Sequence, residues 1–151
     1  MAHEVTVERT TECPTAVVKA NTTWSQFPAL WPRLLDEVWA FLRPRPHLRG
    51  EGHNIMLYRH GLPESAVAVE VGVQVTGPFE PVGGVVPSQL PAAEAATARA
   101  ATSSEIGAAH AAVRAWCSAQ GRELTGVSWE IYGDPDPQSG NFEVAVYWQL
   151  A

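Results

Sequence analysis

The chain has 151 residues, 46% apolar and 17% charged, with a net charge of −6 and Lys19 as its single lysine. That length suits one compact domain with a sizeable core, and the balance is globular, not disordered. Without a run of Lys or Arg to neutralise phosphates, direct nucleic-acid binding is not expected, and neutral or cationic small molecules fit the charge better. No stretch approaches the ~18 apolar residues of a membrane span, and Met1-Ala2-His3-Glu4 begins a polar run, not a leader. Cys13 and Cys117 lack CxxC spacing, so no zinc or redox motif is offered. A reducing cytoplasm is the default setting, with the proximity of the two cysteines left open.

Val5 to Arg9 alternates apolar and polar residues, and after Pro14 a second strand pattern runs from Thr15 to Ala20. Thr23 and Gln26 form a capping-box pair. Beyond them Trp24, Phe27, Trp31, Leu34, Leu35, Val38, Phe41 and Leu42 recur at helical spacing. Pro28 and Pro32 are poorly tolerated past a first turn, so a short turn is expected at 24–27 and the regular helix near Pro28 or Pro32. Arg43-Pro44-Arg45-Pro46 ends the helix, and a loop follows to His53. Strands are predicted at Asn54–Tyr58 and Ala66–Val75, the latter with Val67, Val69, Val71, Val73 and Val75 on one face. Its other face, Ala68, Glu70, Gly72 and Gln74, is small and polar, which leaves room for a ligand.

After a Gly/Pro connector at 76–84, weaker strands are predicted at Val85–Leu90 and Ala95–Ala101. Thr102 and Glu105 make a second capping box. Ile106, Ala109, His110, Val113 and Cys117 make a second stripe, closed by Gly121. In Val127–Tyr132 period two separates Val127, Trp129 and Ile131 from Ser128, Glu130 and Tyr132. The last strand, Phe142–Leu150, places Phe142, Val144, Val146, Trp148 and Leu150 opposite Glu143, Ala145, Tyr147 and Gln149. Trp39 matches Trp116 at an offset of 77, Tyr58 matches Tyr132 at 74, and Val75 matches Leu150 at 75.

The expected fold is therefore α+β. It is one domain over 1–151, built from a duplicated β-β-α-β-β unit at about 4–76 and 84–151. Two helices are expected to cover the valine face of an antiparallel sheet. Glu130, Tyr132, Tyr147, Gly72 and Ala68 are expected to line a groove on the other face. Trp129 and Trp148 would then face the helices.

Trp129-Glu130-Ile131-Tyr132, the paired helices around Trp31–Leu42 and Glu105–Trp116, and the repeat together resemble the GyrI-like small-molecule-binding domains. These are related to the effector-binding domains of multidrug-responsive bacterial regulators. The resemblance covers nearly the whole chain. It implies that Glu130 is the acid at the base of an aromatic-lined groove that meets flat, often cationic ligands, with Tyr132 two residues on. It implies binding and sequestration first, with no cofactor. The alternatives are hydrolysis of strained cyclopropane DNA alkylators and a toxin-antagonist module that acts on another protein. In the hydrolase reading Glu130 is general base, with Tyr132 and Tyr147 as donors. The ligand site predicted on these grounds holds Glu130, Tyr132, Tyr147, Tyr58 and Gly72. Met56, the counterpart of Glu130, gives it an adaptable floor, and Trp24 and Phe27 serve as lid or helix staple. The alanine-rich stretch 92–119 is expected to widen one side of the pocket.

No histidine shows metal-ligand spacing, and His110, on the second stripe, is expected in the core. No GxSxG, phosphate loop or Cys/His pairing appears, so serine hydrolases, nucleotide enzymes and metalloenzymes are not supported.

Overall fold

A computed structural model of the protein describes residues 3–63 and 65–151, so the start of the polar run at Met1–Glu4 lies outside the described residues. Among the described residues eight strands and three α-helices follow in the order β1 (Thr6–Arg9), β2 (Cys13–Thr23), α1 (Phe27–Leu42), α2 (Pro46–Arg49), β3 (Asn54–Arg59), β4 (Ala66–Gln74), β5 (Val86–Leu90), β6 (Glu94–Ala100), α3 (Ile106–Ala119), β7 (Leu124–Tyr132) and β8 (Val144–Leu150). All strands join one sheet, in the order β1-β6-β8-β7-β3-β4-β2-β5, and every pairing is antiparallel. Exchanging each strand with the one four places away in sequence reverses the order onto itself. The fold is α+β, with helices on one face of an antiparallel sheet.

Local sequence accounts for most boundaries. Thr23 Oγ1 accepts from the Gln26 amide at 3.3 Å in the turn before α1, so it does not cap the helix, whose N-cap is Gln26 without a side-chain bond. Pro28 sits in the first turn, where its missing N–H costs nothing. Pro32 is accommodated inside the helix. Pro44 stops it, but Pro46 starts the short helix α2 inside what the sequence reads as loop, because proline suits a first helical position.

The helices take different parts of the sheet. Val38, Phe41 and Leu42 of α1 pack on Ala16, Val18, Val73 and Val75, while Ala109, Val113 and Cys117 of α3 pack on Ala96, Ala98, Ala100, Val144 and Val146. Of the alanines in 92–119, Ala96, Ala98, Ala100 and Ala109 are buried in this close helix–sheet contact, Ala95 packs on the far face, and Ala101, Ala108, Ala111 and Ala115 are exposed. They do not widen a pocket. Since α1 lies on β2 and β4 and α3 on β6 and β8, the middle strands β3 and β7 form the floor of a groove between the helices.

Register decides which side chains line that floor. Val18, Val71, Met56, Glu130, Val146 and Ala98 stand in one row across six strands. Glu130 is thus on the valine face with the helices, the reverse of the expected side. On the far face the parallel row runs Lys19, Glu70, Leu57, Trp129, Tyr147 and Thr97. Trp129 faces away from the helices and Trp148 towards them. The far face is also packed, by Val17, Ile55, Leu57, Leu90, Ala95 and Trp129. Apolar residues therefore occupy both sides of β3 and β7, and a one-residue shift in phase exchanges the faces.

Candidate ligand-binding site

Glu130 is a buried carboxylate in a row otherwise made of apolar residues. A charge in such a position needs partners, and three converge on it. The Tyr58 and Tyr132 hydroxyls donate to its Oε1 at 2.7 and 2.6 Å, and His110 Nε2 lies 2.6 Å from its Oε2. The direction of the last bond follows from the other ring nitrogen. Trp148 Nε1, which can only donate, sits 2.9 Å from His110 Nδ1, so Nδ1 is an acceptor and the imidazole proton resides on Nε2. His110 is thus a donor to Glu130, held in one tautomer by Trp148. Burial first, and then the adjacent Glu130 charge, push both phenols well above their usual range, so they remain donors.

Met56 lies directly across from Glu130 in the β3–β7 ladder, with its Sδ 3.4 and 3.6 Å from the same two hydroxyls. Tyr58 and Tyr132, the residues the sequence pairs at an offset of 74, flank the carboxylate from the two middle strands.

Two adjoining chambers open on Glu130, and Trp24 and Tyr58 line both. The larger, about 410 Å³, is walled by Trp24, Phe27, Trp31, Met56, Tyr132 and Phe142, with Asn54 and Ser103 also in its lining. The smaller, about 260 Å³, adds His60, His110, Arg114 and Trp148. His60 stacks between Trp24 and Trp148, with centroids 5.7 and 4.8 Å away, and its Nε2 meets Ser128 Oγ at 2.9 Å. Burial first, with the Arg114 guanidinium nearby acting in the same direction, lowers its pKa and favours the neutral ring. Ser128 is fully buried beneath it, so this Ser–His pair offers no nucleophile to a substrate.

The sequence itself matches no protein-family model and no curated protein. Among solved structures, the chain is similar to the C-terminal domain of EcmrR, at 18% identity over 100% of this chain and 99% of that one, with a TM-score of 0.78. The same protein in a complex with DNA matches at 17% identity and a TM-score of 0.77, over 99% of this chain and 58% of that one. SAV2435 bound to tetraphenylphosphonium matches at 14% identity and 0.71, over 98% and 94% of the chains. The fold is that of the GyrI-like domains. A hydrolase from Listeria innocua shares it at 10% identity and a TM-score of 0.60, over 99% and 93% of the chains.

Within this GyrI-like fold Glu130, Tyr132, Tyr58, Met56, Trp24 and Phe27 line one chamber. Phe27 is buried, whereas Trp24 is 44% exposed at the mouth. Tyr147 and Gly72 do not join them. Tyr147 stacks on Trp129 across the sheet, 5.4 Å between centroids and 8° between planes, and borders a far-face cavity of about 600 Å³. Gly72 is small because β2 passes close: a Cβ there would collide with the Ala16 carbonyl oxygen. The sequence reading missed His60 and assigned His110 to the core. His60 follows Met56 and Tyr58 at period two, and His110 and Arg114 share a helix face; both spacings carried the signal.

Proposed function

We propose that this protein is a cytoplasmic binding module that captures amphipathic aromatic cations in the groove between α1 and α3. The observation that carries this is Glu130, one carboxylate held by three donors at the floor of an aromatic chamber. A cation about 4 Å from it gains about 4 kcal/mol at an effective dielectric of ~20, before desolvation. Each well-placed ring adds roughly 0.5–2 kcal/mol. Set against the ordering costs of association, these terms give affinities in the micromolar range, about −8 kcal/mol.

Acceptor counting narrows the ligand. A carboxylate offers about four acceptor positions, and three on Glu130 are filled. A primary ammonium would bring three N–H donors into a chamber with few acceptors left. A quaternary or delocalised cation brings none, and SAV2435, a protein of similar fold, has been solved with tetraphenylphosphonium. Tetraphenylphosphonium titrated into the protein should therefore quench tryptophan fluorescence with a micromolar midpoint, and Glu130→Ala should abolish the effect. Equal quenching in both proteins overturns the reading.

Hydrolysis of a strained cyclopropane ring is a second reading, favoured by a carboxylate with Tyr132 as an adjacent donor at 2.6 Å. Tyr147 is withdrawn as a donor because it stands on the other side of the sheet. Glu130 would act through its remaining acceptor position on a bound water. A neutral cyclopropane alkylator incubated with the protein should gain the mass of one water; an intact compound after hours excludes turnover.

A further inference from the structure

The smaller chamber holds polar groups that the binding of a simple cation leaves unused. Most of its hydrogen-bonding capacity is already committed: His110 through both ring nitrogens, His60 through Nε2, and the Tyr58 hydroxyl to Glu130. Arg114 is different. It stands four residues beyond His110 on α3, hence on the same helix face, with its guanidinium 5.7 Å from the centre of the Trp148 ring. Arg59, Arg99 and Arg122 are each met by a carboxylate, whereas among the described residues no carboxylate lies within 4.0 Å of Arg114. The chamber therefore has an anion, Glu130, on its floor and an uncompensated cation in its wall.

We propose that the smaller chamber receives a carboxylate arm of the same ligand whose aromatic, cationic body fills the larger one, with Arg114 as its partner. This rests on the binding reading above and extends it to amphoteric ligands. The chambers adjoin along Trp24, Tyr58 and Glu130, so one molecule spans both. A guanidinium presents a planar fork of N–H donors that matches a carboxylate in two parallel bonds. The Trp148 face against which Arg114 rests holds the fork in place and lowers the ordering cost. The charges of such a ligand run opposite to those of the site. A plain cation leaves Arg114 in water and still binds.

Rhodamine B and its ethyl ester test this, because they share one aromatic cation and differ in a free carboxylate. Each is titrated by fluorescence anisotropy, near neutral pH, into the native protein, Arg114→Gln and Arg114→Lys. The native protein should bind the acid about tenfold more tightly than the ester. Arg114→Gln should remove that preference while the ester changes by less than about twofold, and Arg114→Lys should keep part of it. Equal affinity for the two dyes in the native protein overturns the proposal, as does an Arg114→Gln protein that weakens both alike. Tetraphenylphosphonium separates the two failures. If it binds and the dyes show no preference, only the anionic subsite is refuted; if neither it nor the dyes bind, the binding reading falls and takes the subsite with it.

Discussion

Glu130→Gln keeps the shape of the side chain, removes its charge and turns one acceptor into a donor. The partners make both changes matter. In one amide orientation the Gln oxygen still accepts from Tyr58 and Tyr132, but its NH₂ meets the Nε2–H of His110. That ring cannot change tautomer while Trp148 donates to Nδ1 at 2.9 Å. In the other orientation the NH₂ faces the two phenols, which must turn to Met56 Sδ, 3.4 and 3.6 Å away. Either way a buried donor loses a good acceptor, a penalty of about 1–3 kcal/mol. For a bound cation the lost attraction is about 4 kcal/mol before desolvation, at ~4 Å and an effective dielectric of ~20. If only about a third of it survives as net binding energy, affinity falls about tenfold. Calorimetric titration with tetraphenylphosphonium and with neutral triphenylphosphine oxide separates charge from shape. The cation should lose about tenfold or more and the neutral compound less than about threefold. Equal losses, or none, would refute the assignment of Glu130 as counter-charge.

Three further outcomes are expected. Trp148→Phe frees His110 to move its proton to Nδ1, so in the Glu130→Gln background it should restore part of the lost thermal stability, with a coupling of about 0.5–3 kcal/mol; strict additivity in the double-mutant cycle contradicts the tautomer assignment. Because the folded chain holds the His60 pKa down, the unfolded chain takes the proton first. The stability owed to this group is complete above about pH 6.5 and falls as pH drops from there towards the lowered folded value. Tm measured from about pH 7 to 5 should therefore decline less steeply in His60→Gln, and parallel curves would exclude the effect. Gly72→Ala drives a Cβ into the Ala16 carbonyl, which should cost about 1–3 kcal/mol of stability in denaturant unfolding and leave ligand affinity unchanged; weakened binding at full stability would return Gly72 to the site.

The elements and the acid were readable because they depend on local pattern. Trp24 to Leu42 repeats at helical spacing, β4 alternates valine with small residues, and Glu130 interrupts an aromatic run. The side of the sheet on which Glu130 stands was not readable. Period two gives two faces, and the outer one identifies itself by being polar; here Leu57 and Trp129 are as buried behind the sheet as Met56 is in front. Only the register of β7 against β3 and β8 settles the matter, and that is set by tertiary pairing. The same ambiguity drew Tyr147 into the predicted groove. His110 was hidden for a related reason: it occupies a core position in the α3 stripe, and its role appears only once Trp148 and Glu130 approach from β8 and β7.

The exchanged outer strands bear on how the chain is made. Thr6 pairs with Thr97, and Val17 with Val86, so β1 has no partner until β6 has been synthesised and the outer edge of β2 stays open until β5 follows. The first four strands leaving the ribosome can assemble only β3, β4 and β2 side by side, with bare hydrogen-bonding edges on both flanks. The domain therefore closes late, when β6, β7 and β8 arrive together. A chain cut between β4 and β5 leaves each piece lacking the outer strand that the other carries. Two such pieces should find one another, and a piece left alone should pair with its own copies.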